Sequence, residues 1–229
     1  MSLAAQGGVM LVAGVIVFRT VLVGGHVNYV RPGLGILLSL AAGVVIAIGV
    51  ASLWTLASES GHRHGPPVGW LMLLPMVALI TIPQLPLGAF AVGLSGDRAS
   101  FVRPSLDLPA LPEPREGAVD MSMSDFIART LFARPSLEGV PVRLRGFVTP
   151  DREAPSGYLL SRFRIGCCAA DAQPMQVAVV NDVPRDADTW LKVVGVARPG
   201  PVDPSGRPRM ELHVVQVHPI PPPDDPYEY

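Results

Sequence analysis

The chain has 229 residues, of which 49% are hydrophobic and 16% are charged, and its formal net charge is −1. A nearly neutral chain has no overall field that favours nucleic acid or anionic lipid, so a nucleic-acid partner is not expected. The charge is also unevenly placed, because only four charged residues precede Asp97: Arg19, Arg31, Glu59 and Arg63. A soluble domain carries far more surface charge than this. The composition of residues 1–96 therefore predicts a transmembrane domain.

Three apolar runs predict two or three transmembrane helices in this domain. They cover about 7–25, 33–56 and 68–94, and each is long enough for a helix, which needs about 20 residues to cross a bilayer. The second run is rich in glycine and alanine, which let helix backbones approach closely. Close helix packing and ordinary transmembrane composition account for these small residues equally well.

Four residues indicate how the runs would sit in a lipid bilayer. Arg19 lies near the end of the first run, where snorkelling to the headgroups is favoured over a buried functional charge. Trp54 ends the second run as an interfacial anchor. Pro75 and Pro83 each remove a backbone donor from the third run and predict a kink or break. The third run is therefore either one bent span or a short span followed by an interfacial segment.

The loop between the second and third runs contains the pair His62 and His64. Neutral imidazole is the commonest side-chain metal ligand, but two histidines without a third ligand nearby do not complete a site. The loop is interpreted as solvated, and metal binding is the alternative.

The rest of the chain predicts a proline-rich linker at 97–118, an OB-like β-domain at 119–220 and a proline-rich tail at 221–229. A short leading helix is expected to begin at Ser124 as its N-cap and to stop before Pro135. Five runs of alternating apolar residues follow. Five short strands in so few residues suit a small closed barrel of the OB type.

Two irregularities are expected within these strands. Gly146 and Gly195 fall in mid-strand, where a small barrel needs sharp coiling. After Val214 the apolar phase slips to Val215 and Val217, which predicts a bulge. The predicted fold class is thus a membrane α-helical N-terminal part followed by a small all-β, OB-like barrel.

The two cysteines, Cys167 and Cys168, lie at the end of the second predicted strand. Alternation would turn Cys167 inward and Cys168 outward, so their side chains would point opposite ways and a disulfide would need a strained ring. Packing as small apolar residues is the favoured interpretation. The alternative is a metal or redox site of Cys167, Cys168 and Asp171, with Arg162 and Arg164 favouring the Cys168 thiolate.

A histidine of the last strand, His213 or His218, would complete such a site around a transition metal such as zinc. The chain has no CxxC spacing, however, so the sequence makes no cofactor certain.

The stretch "RFRIGCCAADAQPMQVAVV", preceded by "EGVPVRLRGFV" and followed by "WLKVVGVA" and "PYEY", resembles the YcgQ-like family of bacterial membrane proteins. Members have a few N-terminal transmembrane helices, often a histidine-containing loop, and a soluble domain with a Cys-Cys-x-x-Asp-Ala core. That core matches Cys167, Cys168, Asp171 and Ala172. The resemblance implies a multi-pass protein of the bacterial plasma membrane and a multi-pass permease partner, because members are described as permease subunits encoded beside one.

The favoured function is accordingly a non-enzymatic accessory subunit of a membrane permease, with the β-domain docked at one mouth of the transporter. The alternative is a metal-binding or thiol-redox membrane protein that uses the Cys-Cys-x-x-Asp motif. An enzyme is not expected, because no Ser-His-Asp set, glycine-rich phosphate loop or carboxylate pair stands on a recognisable scaffold.

Overall fold

In the computed structural model the described residues are 3–58, 74, 77, 85–95, 108–132, 137–151, 157–202 and 208–229. They fall into two compact units, Met1–Pro86 and Leu87–Tyr229. The described residues do not include His62, His64, Pro75, Pro83 or the first half of the proposed linker, 97–107, so the predictions made for them stay predictions. The boundary after Pro86 lies upstream of the one predicted at residue 96.

The first unit is a helical hairpin of α1 (Leu3–Leu22) and α2 (Gly35–Ser58). Two single-turn 3₁₀ helices, Gly25–Asn28 and Pro32–Leu34, form the connection. Arg19 is exposed in the last turn of α1, the position from which a long side chain can reach a headgroup layer. Trp54 is 77% exposed near the end of α2.

Small residues lie where the two helices touch. A Cβ added to Gly14 would come within 2.6 Å of the Ile46 side chain, and one added to Gly49 would come within 2.9 Å of the Leu11 backbone nitrogen. Ala42 is 3% exposed at the same contact. This arrangement favours close helix packing as the reason for the small residues of α2.

One helix among the described residues, Pro32–Thr55, is long and apolar enough to cross a membrane, with a hydropathy of 2.6 and only 17% of it buried. Gln6–Leu22 is a shorter apolar helix. The end of the third predicted run has no regular secondary structure at residues 85–88 and then forms α3 (Ala89–Leu94). Residues from Leu87 onward belong to the second unit, in agreement with a break in this run.

The second unit is built on a closed five-stranded barrel. Its strands are β2 (Pro141–Pro150), β3 (Tyr158–Arg164), β4 (Gln173–Val180), β5 (Trp190–Val202) and β6 (Pro208–Pro219). Neighbours follow the order β2-β5-β6-β4-β3, and β3 pairs back with β2. All these pairs are antiparallel except β4 with β6. The closed barrel fits the predicted OB-like architecture.

Both predicted strand irregularities are present. Val194 is opposite Gln216 and Gly195 is opposite Val214, so Val215 is the extra residue of a bulge. A Cβ on Gly195 would come within 2.5 Å of the His213 carbonyl oxygen, and one on Gly146 within 2.6 Å of the Ser161 carbonyl oxygen. The strands approach too closely at these two points for any side chain.

Helix α4 (Met123–Phe132) precedes the barrel and contributes to its interior. Its fully buried Met123 and Phe126 pack with Leu144, Leu160 and Leu212 from the strands. Its N-cap is Ser122 rather than the predicted Ser124, because the Ser122 hydroxyl accepts the backbone N–H of Asp125 at 3.0 Å. The short strand β1 (Val119–Asp120) runs parallel to β2.

A second apolar cluster covers the outside of β2, β3 and β5. Phe147 lies between Phe163 and Trp190, with ring centroids 6.0 and 5.6 Å away, and Val92 of α3 packs on this group. Tyr227 belongs to it as well, because the predicted tail is part of the sheet. Strand β7 (Tyr227–Glu228) pairs parallel with the end of β3.

Candidate metal centre

The two cysteines lie in the loop that joins β3 to β4. The strand ends at Arg164, Ile165 is buried, and the chain then bends at 166–167 before a 3₁₀ turn at Ala169–Asp171. Cys167 is exposed and Cys168 is half-buried, and both are free thiols. The loop therefore presents both sulfur atoms near the surface.

The expected alternation of the cysteines is wrong, and so is the inward position of Cys167. Alternation holds only while the backbone stays extended, and regular strand structure stops three residues before Cys167. The bend brings the two Sγ atoms to 3.6 Å from each other. Cys167 is thus not a core residue, which removes the packing interpretation for that side chain.

Asp171 organises the loop through its carboxylate. Oδ1 accepts the backbone N–H of Gly166 at 2.7 Å, and Oδ2 accepts that of Cys167 at 2.8 Å and that of Cys168 at 3.4 Å. In return, the Asp171 backbone N–H donates to the Cys168 sulfur in a reciprocal cap. One carboxylate thereby fixes the backbone on which both thiols stand.

The same contacts set the proton affinities of the loop. The hydrogen bond from the Cys167 thiol, followed by backbone donors, lowers the pKa of Asp171 to about 2. Hydrogen bonding to Asp171, and next to Cys168, raises the pKa of Cys167 to about 11. A thiol with a raised pKa is a poor nucleophile at neutral pH. This disfavours an activated redox cysteine at position 167.

One sulfur of each cysteine and one carboxylate oxygen of Asp171 all lie within 4.8 Å of one another. This is the one group of three potential metal ligands that the described part of the chain contains. Tetrahedral zinc with Zn–S bonds of about 2.3 Å would hold two sulfur atoms about 3.8 Å apart. The sulfur spacing of 3.6 Å is close to that distance, so the donor set fits such an ion.

One family model matches the part of the chain that contains this loop. Residues 133–229 match the model of the DUF1980 C-terminal domain. The match covers the barrel strands, the cysteine loop and β7, and it is consistent with the resemblance to the YcgQ-like family. No curated protein matches the chain.

One solved structure aligned with the chain is a crystal structure assigned to an aspartyl-tRNA synthetase of Leishmania major Friedlin. The identity is 18%, the TM-score is 0.28, and the alignment covers 48% of this chain and 22% of the other. The chain thus spans about a fifth of the length of that protein.

The two arginines near the cysteine loop, Arg162 and Arg164, do not contact the thiols. Arg162 donates to the carbonyl oxygens of Asp225 at 3.1 Å and Tyr227 at 3.2 Å, and its guanidinium lies 6.0 Å from the Trp190 ring. It holds the C-terminal segment against β3. Arg164 is in register with Gln173 and Glu228, and among the described residues its side chain has no ion pair.

The histidines of β6 lie far from the cysteine loop. Strand β4 begins at Gln173, directly after the loop, and its last residue, Val180, is opposite His213. An eight-residue strand is about 23 Å long at roughly 3.3 Å per residue. Because β6 runs parallel to β4, His218 lies farther on in the same direction. Neither histidine can complete the cysteine site.

Sequence reasoning missed the role of Glu228. Its carboxylate accepts the backbone N–H groups of Met123 at 2.8 Å and Ser124 at 3.0 Å, and it lies 3.8 Å from Arg162. The signal was the "PYEY" stretch, which looked like a loose tail because its strand is only two residues long.

Proposed function

We propose that the DUF1980 C-terminal domain binds a thiophilic metal ion, zinc in the first instance, through Cys167, Cys168 and Asp171. The observation that carries this proposal is the sulfur pair at 3.6 Å beside a carboxylate oxygen. Thiolate and carboxylate are both ligands that zinc accepts in proteins. The reciprocal hydrogen bonds of Asp171 favour binding further, because they fix the loop before the ion arrives.

Metal binding is favoured over a disulfide switch. The Cα atoms of adjacent residues lie about 3.8 Å apart across a trans peptide, which is shorter than the roughly 4.4–6.8 Å that a disulfide usually spans, so a bond between Cys167 and Cys168 would require a distorted backbone.

The number of protein ligands favours transient binding. Structural zinc sites are closed by four protein ligands, and sites with three keep a position for another ligand. Here the loop offers three, and Cys167 is exposed. We therefore propose that the site receives an ion and passes it on, rather than holding the fold together.

The wider role we propose is that of an accessory subunit of a membrane permease, in a multi-pass protein of the bacterial plasma membrane. The resemblance to the YcgQ-like family supports the partner. The apolar helix within Pro32–Thr55, only 17% of which is buried, leaves most of its surface for lipid or another helix. A metal-receiving domain beside a permease would deliver or collect the ion at the membrane.

The direct test is metal binding by the full-length protein in mild detergent. Cobalt(II) titration should give a sulfur-to-metal charge-transfer band, and competition with a chromophoric chelator should give one zinc ion per chain. Cys167→Ser and Cys168→Ser should each weaken the band, and the double variant should abolish it. Asp186→Asn, a change at an exposed carboxylate away from the loop, is the matched control and should leave it unchanged.

Two results would contradict the metal proposal. One is equal zinc content in the wild type and in both cysteine variants. The other is a cobalt spectrum without the charge-transfer band at full occupancy, since this would mean that oxygen or nitrogen ligands bind the ion.

The permease role has its own test. Affinity purification of the tagged chain from mild detergent should retain a multi-pass permease in a fixed molar ratio. A chain that purifies alone, under conditions in which it stays folded, would argue against that partner and leave the metal site unaffected.

A further inference from the structure

We infer that one outer face of the barrel rests on the headgroups of an anionic phospholipid bilayer. The docking face consists of Arg145, Lys192 and His218 on the strands and Phe90 and Leu94 on α3. The inference depends on the membrane anchoring proposed above and is independent of metal binding.

The strand register lines up three basic side chains. Arg145 on β2 is directly opposite Lys192 on β5, and Lys192 is directly opposite His218 on β6. Directly opposed side chains on neighbouring strands have Cβ atoms about 5 Å apart on one face of the sheet. That face is the outside, because Leu144, Leu191 and Val193, which flank the row along the strands, are fully buried in the core.

This basic row has no acidic partner among the described side chains. Arg145 and His218 are exposed and Lys192 is half-buried. Like charges directly opposite each other on a sheet are destabilising, and Arg145 and Lys192 form such a pair. An anionic surface that contacts the row would remove this repulsion, which is the charge complementarity behind the inference.

Apolar side chains stand beside the row. Phe147 and Trp190 are also directly opposite each other, two residues from Arg145 on β2 and two residues from Lys192 on β5, so they lie on the same face of the sheet. Val92 of α3 packs on this pair, while Phe90 and Leu94 are 80% and 73% exposed. Phe90 and Leu94 are four residues apart on a helix, so they project from one side of it.

Helix α3 is held firmly in this position. The Asp188 carboxylate accepts the backbone N–H of Ala89 at 2.6 Å, and the Tyr227 hydroxyl accepts that of Leu87 at 3.1 Å. Asp188 is the acidic residue in these contacts with α3, and its carboxylate is already hydrogen-bonded to the Ala89 N–H. The two exposed apolar side chains are therefore presented by an ordered element.

A lipid surface is favoured over a protein partner because of the sequence segment to which α3 belongs. It is the end of the third apolar run of the sequence, so the chain reaches this face directly from a segment expected to enter the bilayer. Basic side chains beside aromatic and aliphatic ones are the composition of interfacial segments. The basic row would meet headgroups while Phe90 and Leu94 enter the acyl boundary.

The test uses the full-length chain reconstituted into vesicles of phosphatidylcholine with or without phosphatidylglycerol. A Leu94→Cys variant in a Cys167→Ser, Cys168→Ser background carries an environment-sensitive fluorophore, and spin-labelled lipid serves as quencher. Val202→Cys is the control label, since Val202 is 65% exposed at the far end of β5. Quenching is expected at position 94 in phosphatidylglycerol vesicles and not at position 202.

Charge-reversal variants test whether contact with the bilayer depends on the basic row. Arg145→Glu with Lys192→Glu should abolish the quenching at position 94, whereas Arg198→Glu, at an exposed arginine outside the row, should preserve it. The inference is overturned if positions 94 and 202 are quenched alike, or if charge reversal has no effect. It is also overturned if position 94 is shielded from both lipid and aqueous quenchers, which would indicate a protein partner.

The membrane anchor is checked in the same vesicles by an alkaline carbonate wash. Loss of the chain from the vesicles would refute the anchor. Retention without quenching at position 94 would refute the docking face alone. Zinc binding is measured separately on the wild type, so its outcome does not affect this readout.

Discussion

The carboxylate of Glu228 caps helix α4 by accepting the backbone N–H of Met123 at 2.8 Å, across 105 residues of sequence. The first turn of a helix has unpaired N–H groups and a partial positive charge, so a carboxylate there is doubly favourable. Glu228 reaches this position because β7 adds to the edge of β3. The C-terminal strand β7 thus holds the helix whose Met123 and Phe126 side chains pack into the barrel core.

Replacing Glu228 by alanine should destabilise the β-domain by about 1–2 kcal/mol, the usual cost of losing a helix cap. Two backbone donors would lose their acceptor, and Arg162 would lose its ion pair. Thermal or denaturant unfolding measures the loss. Glu138→Ala, at an exposed glutamate, is the control. An equal effect of both variants would mean that Glu228 does not act as a cap.

Gly14→Ala should weaken the packing of α1 against α2, because its Cβ would lie 2.6 Å from Ile46 and 3.1 Å from the Ala42 carbonyl oxygen. Overpacking of this kind costs about 1–3 kcal/mol. Gly8→Ala is the matched control, since a Cβ at Gly8 meets nothing within 4 Å. That control should be neutral or slightly stabilising, because alanine favours helix over glycine. Thermal stability in detergent distinguishes them, and identical melting would refute the glycine contact.

Asp182→Asn should destabilise the protein at neutral pH, and the loss of stability should be smaller at low pH. Burial would raise the pKa of Asp182, but hydrogen bonds from Arg185 at 2.7 Å and Tyr158 at 2.6 Å outweigh it and hold the pKa below its ordinary value. A depressed carboxylate pKa gives stability that is present above the unfolded-state pKa and is lost as the pH falls through the folded-state pKa.

The measurement for Asp182 is the free energy of unfolding of wild type and variant from pH 7 down to the acid limit of folding. The difference, about 1–3 kcal/mol for charged hydrogen bonds, should shrink toward low pH. Asp186→Asn, which is exposed, serves as control. A constant difference across the pH range would mean that the ionised carboxylate is not the source.

Asp171→Asn should lower the metal affinity of the cysteine loop without unfolding the barrel. The amide can accept through one oxygen only, whereas the carboxylate accepts three backbone N–H groups through two. Loss of a ligand and of the loop support should cost at least about tenfold in zinc affinity. Chelator competition gives the affinity and circular dichroism the fold. Undiminished affinity would mean that Asp171 neither binds the ion nor orders the loop.

The regular part of the fold could be predicted from the sequence, because strand alternation and long apolar runs are local properties. The five strands, the bulge at Val215 and the need for glycine at positions 146 and 195 all appear in the barrel. The helix began two residues earlier than expected, since Ser122 and Ser124 are both good caps and only the hydrogen bond to Asp125 decides between them.

Only the residue types of the candidate site could be predicted from the sequence. The sequence by itself determined that two thiols and a carboxylate lie within five residues, and that an apolar front part precedes a β-barrel. Only the tertiary structure decided that the thiols share one side, that Arg162 holds the C-terminal segment and that Glu228 caps α4. The physical reason is that periodicity fixes the direction of a side chain only within a regular element. Bends, edge strands and cross-strand neighbours follow from how distant segments pair.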